Sequence, residues 1–127
     1  MKRRFRKKFD CAPLYVEFEH IENEHIKKTI ARAVIDESNI PDCLRYSTKL
    51  EGMRISASTF CKDGDVYDQS FGERIARKKL VRKFMRLLGA AAREHFKMLH
   101  EHLDALEAVY KHCDDVSDSI LKYLKGN

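Results

Sequence analysis

The sequence has no apolar run approaching the roughly 18 residues that a membrane-spanning helix needs. The charged start, MKRRFRKKF, has no apolar segment behind it, so a secretory signal is not expected. The four cysteines stand at 11, 43, 61 and 113, never as C-x-x-C, which excludes a zinc ribbon or finger. They read as reduced, mostly buried thiols of a cytosolic protein. G-x-S-x-G, the phosphate-binding P-loop and the dinucleotide fingerprint are all missing. The expectation is a protein without enzymatic activity, cofactor or metal. The six histidines include HEH at 100–102, but on a helix those two rings point about 200° apart, not along one face as metal ligands four apart would. No repeat or low-complexity linker is present, so residues 1–127 read as one domain.

What is present is charge, unevenly spread. The chain is 43% hydrophobic and 35% charged, with 25 bases and 20 acids. Three bases and six acids lie beyond residue 97, which leaves a balance of +8 before that point and −3 after it. A basic front implies an anionic counterpart. Residues 2–8, KRRFRKK, hold six bases in seven positions. They read either as a solvated tail or as a phosphate-contacting arm carried by Lys2, Arg3, Arg4 and Arg6.

Along the chain, Leu14, Val16, Phe18 and His20 alternate with Tyr15, Glu17, Glu19 and Ile21, a strand pattern over 14–21. Asn23 then reads as an N-cap, and Ile26, Ile30, Ala33 and Val34 predict a helix over 24–36, ended at Asn39 and Pro41. Residues 43–50 and 52–61 read as two strands joined at Glu51–Gly52. In the second, Met53, Ile55, Ala57 and Thr59 share one face and Arg54, Ser56, Ser58 and Phe60 the other. From Ser70 the period becomes helical, with Ser70 and Glu73 forming a capping-box pattern. The helix runs for about 40 residues, with a turn expected near His112–Asp115 and a short final helix over 115–125. The fold class is α+β: a small antiparallel sheet with one N-terminal helix, followed by a long C-terminal helix and a short final helix. The organisation expected is a flexible arm over 1–10, strands plus one helix over 11–61 and a helical part over 70–125. A helix of that length predicts a homo-oligomer assembled through it.

Two surfaces could carry function. Arg74, Lys78, Arg82, Arg86, Arg93 and Lys97 lie near one stripe of the long helix, with Lys79 and Lys83 beside it. That stripe reads as a solvated face or as a nucleic-acid or partner surface. The other is the turn into the helix, CKDGDVYDQSFGERIARKK, residues 61–79. A helix N-terminus attracts phosphate. Arg54, Tyr67, Phe71, Arg74, Arg77 and Lys78 are the expected anion-binding residues, with the two aromatics able to stack a base. Asp63, Asp65 and Asp68 serve equally as turn formers and oppose phosphate. They do not make a calcium loop, because its sixth position is Asp68 and its twelfth Arg74.

The order C-x-x-x-D-x-[YF]-D-x-x-x-G-x-x-I-A-x-x-K, here Cys61, Asp65, Tyr67, Asp68, Gly72, Ile75, Ala76 and Lys79, resembles a stretch of small proteins from bacterial prophages and mobile elements. It covers about 20 residues, and the spacing CKDGD carries one residue more than the family's pattern. Strands followed by C-terminal helices are also similar to the phage Thoeris anti-defence sponges. The resemblance implies a cytoplasmic accessory protein of a bacterial host. Such a protein antagonises antiviral defence by binding a nucleotide signal or a defence effector, and no catalytic residue is carried over. The alternative is a nucleic-acid-binding protein, including one that inhibits a CRISPR nuclease. The partners expected are thus an anionic ligand, nucleic acid or a host defence protein, and no membrane.

Overall fold

The computed structural model describes residues 11–45, 49–62 and 66–126. The basic arm, with Lys2, Arg3, Arg4 and Arg6, lies outside them, as do Asp63 and Asp65. The chain forms two compact units, residues 1–92 and 93–127.

Among the described residues, the first unit is built on three antiparallel strands, β1 (Glu17–Glu22), β2 (Lys27–Val34) and β3 (Arg54–Phe60), in the order β1-β2-β3. One helix, α1, runs from Gln69 to Lys125. The chain is therefore α+β, with the sheet followed by one long C-terminal helix.

The expected helix over 24–36 is a strand. Asn23 Oδ1 does accept two backbone amides, from His25 and Ile26 at 2.8 Å each, as an N-cap would. Yet the Asn23 amide also donates to the Ile26 carbonyl, and this closes a hairpin turn into β2. The same side-chain chemistry serves both motifs. The apolar residues that suggested a helix, Ile26 and Val34, are exposed, and Ile30 is half-buried. The buried face of β2 is instead Thr29, Ala31 and Ala33, at strand spacing.

Those residues are small because α1 crosses close over them. Gly72, Ala76, Leu80 and Phe84 form its buried stripe. A Cβ on Gly72 would overlap Thr29 Oγ1, so only glycine permits this approach without displacement. Leu14, Val16 and Phe18 join the core on the sheet side, as their alternation predicts. Each well-buried large aliphatic in this core contributes on the order of 1.5–3 kcal/mol.

Residues 43–50 do not form the expected strand among the described positions. Asp42–Leu44 is a 3₁₀ turn, and another, Glu37–Asn39, precedes it. The latter is capped reciprocally by Asp36 and Asn39, and Asn39 also donates to the carbonyls of Ala12 and Pro13 at 3.0 Å each. Gly52, at φ 83°, makes the tight turn before β3, and its amide donates to the Ile35 carbonyl.

Neither Gly89 nor His112–Asp115 interrupts α1. A glycine in a helix costs about 1 kcal/mol relative to alanine, and two aspartates cost less; neither amount ends a helix on its own. In the second unit, residues 93–125 are helical throughout, and every residue except His95 is exposed. The cysteines are less buried than expected: Cys11 and Cys61 are half-buried, Cys43 and Cys113 exposed.

Candidate nucleic-acid interface

The helix N-terminus is capped by Asp68, not by Ser70. The Phe71 amide donates to Asp68 Oδ1 at 3.2 Å, and the Gly72 amide to the Asp68 carbonyl at 2.9 Å. A carboxylate thus already occupies the place where an anionic ligand would sit. Glu73, the other half of the expected capping box, turns to the sheet. His20 Nε2 donates to Glu73 Oε2 at 2.6 Å, while His20 Nδ1 lies 2.9 Å from the Tyr67 hydroxyl and 3.1 Å from Thr29 Oγ1. Tyr67 donates to the Lys28 carbonyl at 2.9 Å and stands 2.9 Å from Thr29 Oγ1. This polar cluster ties β1 and β2 to the start of α1. The Thr29 side chain, 1% exposed, is out of reach of any substrate. His20 and Thr29 carried no sequence signal for this role, because their partners Tyr67 and Glu73 stand 38 or more residues away.

The six expected anion-binding residues do not converge. Tyr67 and Phe71 share a cleft of about 710 Å³ with Lys28, Lys62 and Asp68. Tyr67 spends its hydroxyl on the structure, and the exposed rings of the cleft are Phe71, 51% exposed, and Phe60, 63% exposed. Arg74 stacks over Phe71 at 5.2 Å, and Arg77 over Phe18 at 5.4 Å, which places Arg77 toward β1. Arg54 pairs with Val34 at the far end of β3 and lines a separate cleft with Tyr15, Glu17 and Arg32. It does not reach the loop. Lys78 is exposed on the helix.

The bases that do converge lie one to three turns further along. Lys79, Arg82, Lys83 and Arg86 line one groove of about 410 Å³ beside Ala57 and Ser58 of β3. β3 has β2 on one side and, among the described strands, is an edge of the sheet. Lys83 Nζ donates to the Ser56 carbonyl at 2.7 Å, and Lys79 Nζ to the Ser58 carbonyl at 3.2 Å. The two ammonium groups cover carbonyls that an edge strand would otherwise present to another chain. Each spends one of its three donors there. No protein-family model, no curated protein and no solved structure matches the chain. The groove must therefore be read from its own chemistry.

That chemistry is a row of four cations along one flank of a helix. Residues three and four apart on a helix sit about 5–6 Å from one another. Against the sheet, Lys79 and Lys83 are held in place, while Arg82 and Arg86 project beside them. The sequence pointed to Arg82 and Arg86 but treated Lys79 and Lys83 as bystanders. Helix spacing brings the four together, and the packing of α1 on β3 anchors the two lysines and closes the groove against the sheet edge. Arg93 and Lys97 belong to the second unit, and both are exposed.

No described helix is long and apolar enough to cross a membrane.

Proposed function

We propose that this chain is a non-enzymatic binding protein whose ligand is a phosphate-bearing polymer, single- or double-stranded nucleic acid, held along the basic flank of α1. One observation carries the reading: Lys79, Arg82, Lys83 and Arg86 line a single groove at the edge of β3. Like charges at helical spacing repel by a few tenths of a kcal/mol per pair, and a polyanion converts that cost into attraction. Lysines anchored on strand carbonyls lose less freedom on binding than free ones. The basic arm over residues 2–8 adds charge in the same chain. In the setting that the resemblance implies, an accessory protein of a phage or mobile element, such binding would antagonise host defence by occupying the nucleic acid of an effector.

A second reading rests on the cleft of about 710 Å³ beside Phe71. There a nucleotide signal would stack on the ring with Lys28 and Lys62 at its phosphate. The Asp68 carboxylate opposes that ligand, so the polymer reading is preferred.

Fluorescence anisotropy with labelled single-stranded and duplex oligonucleotides across a salt series tests the first reading. Four phosphate contacts predict that the logarithm of affinity falls with the logarithm of salt at a slope of about −3 to −4. Arg82→Glu combined with Arg86→Glu is expected to weaken binding at least tenfold. Salt-independent or unmeasurable binding of both probes would remove the polymer reading. Calorimetric titration with cyclic nucleotides and ADP-ribose derivatives separates the second: heat lost in Phe71→Ala but kept in the Arg82/Arg86 variant would favour the cleft.

A further inference from the structure

The second unit has an apolar face that nothing in its own helix covers. From Phe96 the large apolar residues Leu99, Leu103, Leu106, Tyr110, Ile120 and Leu124 recur at alternating steps of three and four, with Cys113 and Ser117 filling the two intermediate places. In a heptad reading, residues 96, 103, 110, 117 and 124 take position a, and residues 99, 106, 113 and 120 take position d. Position g adds Val109, Val116 and Tyr123, so the stripe is three positions wide. That width is the width of a helix face packed against another apolar surface, broader than a strict a/d seam. Eleven large apolar side chains from Phe96 to Leu124 lie on or beside this face, each between 43% and 72% exposed. If each buries on the order of 60–120 Å², as its transfer energy implies, one chain removes roughly 700–1,300 Å² from water. That reaches the roughly 800 Å² per partner of a stable interface. In proteins a helix takes most of its stability from packing an amphipathic face, and this one has no such packing within its own unit.

We propose that this face is covered by a second copy of the same chain, packed parallel and in register. Two features select that occupant and orientation. First, the residues Cys113, Val116, Ser117 and Ile120, at spacings of three, four and seven, line a recess of about 480 Å³ together with His112. These four are the d, g, a and d positions that form the hole for an a-position knob in a parallel pair. Second, the charged flank at position e is acidic, with Glu107 and Asp114, whereas position g is uncharged apart from histidine. A fully overlapped antiparallel pair would set Glu107 against the second copy's Asp114 twice. A parallel pair sets Glu107 beside the second copy's His102 and avoids the repulsion. The proposal is independent of the nucleic-acid reading, since it uses no residue of the basic groove.

The test uses the full chain carrying Cys11→Ser, Cys43→Ser and Cys61→Ser, which leaves Cys113 as the single thiol. Native mass spectrometry at about 10 μM is expected to give a multiple of the 14.9 kDa chain mass. Mild copper–phenanthroline oxidation is then expected to link most chains through Cys113, because a parallel register brings the two d-position thiols together. Leu106→Glu in the same background should give the monomer mass and lose the cross-link, with the circular dichroism of the sheet unit kept. A monomer before Leu106→Glu is introduced, in both the unsubstituted chain and the single-thiol background, overturns the proposal. An assembly whose Cys113 thiols remain unlinked overturns the parallel register. Persistence of the assembly in Leu106→Glu, checked with Leu99→Glu, overturns the assignment of the face.

Discussion

One continuous helix passes through two different environments. Over residues 69–92 it presents glycine and alanine to the sheet at Gly72 and Ala76, then Leu80 and Phe84, and keeps its other sides basic. Over residues 93–125 it buries nothing, yet it carries more large apolar side chains, and its balance turns acidic. The same backbone hydrogen bonding serves both. What differs is the partner. In the first region the partner is the chain's own sheet, so the contact stripe is small enough for close approach. In the second no part of the helix's own unit covers the stripe, so the large residues are displayed.

The sharpest way to break this contrast is to truncate one leucine in each region. Leu80 is fully buried, and Leu80→Ala should cost about 2–5 kcal/mol of stability. Leu106 is half-exposed, and Leu106→Ala should move the first unit by less than about 0.5 kcal/mol. Amide exchange of β2 measures both. Equal loss of protection would mean that the two units do not differ in the way described.

Gly72→Ala comes next. The added Cβ overlaps Thr29 Oγ1, and the expected cost is about 1–3 kcal/mol, read from a urea midpoint. Gly89→Ala should instead be neutral or stabilising, since a Cβ there meets nothing within 4 Å. The pair turns the comparison of two helix regions into a comparison of two glycines.

The smallest effect is on pH. The side-chain hydroxyl and backbone amide of Ser38 hold the Asp36 carboxyl below its usual value of 3.8. A depressed carboxylate stabilises the fold above its unfolded value, and that contribution is lost as pH falls through the lower, folded value. Asp36→Asn should therefore flatten the part of acid unfolding that lies below pH 3.8, a small change at this exposed turn. Stability measured from pH 5 downward checks it, and an unchanged acid limb would count against the cap.

Much of the sheet's inner face could be read in advance. Leu14, Val16 and Phe18 alternate strongly, and the two faces of β3 separate into Ile55 and Ala57 against Arg54 and Ser56. β2 could not be read in the same way. Its buried side is Thr29, Ala31 and Ala33, whose weak hydrophobic signal comes from the space left by a helix about 40 residues later in the chain. The candidate site divides similarly. Arg82 and Arg86 stood out as a charged row, but the groove also needs Lys79 and Lys83, whose part depends on edge carbonyls that no linear pattern encodes. Arg54 was assigned to the loop by its neighbourhood in sequence, while the strand direction carries it to the other end of the sheet.

By itself the sequence determined the class of fold, the basic front and acidic rear, and the long amphipathic helix, because composition and periodicity are local properties. The tertiary structure alone decided that Lys27–Val34 is a strand, that Asp68 caps the helix while Glu73 reaches His20, and which four bases meet in one groove. The strand, the Glu73–His20 pair and the seating of the bases against β3 depend on contacts between residues far apart in the chain, whereas the Asp68 cap is a local contact that competes with the Ser70 pattern.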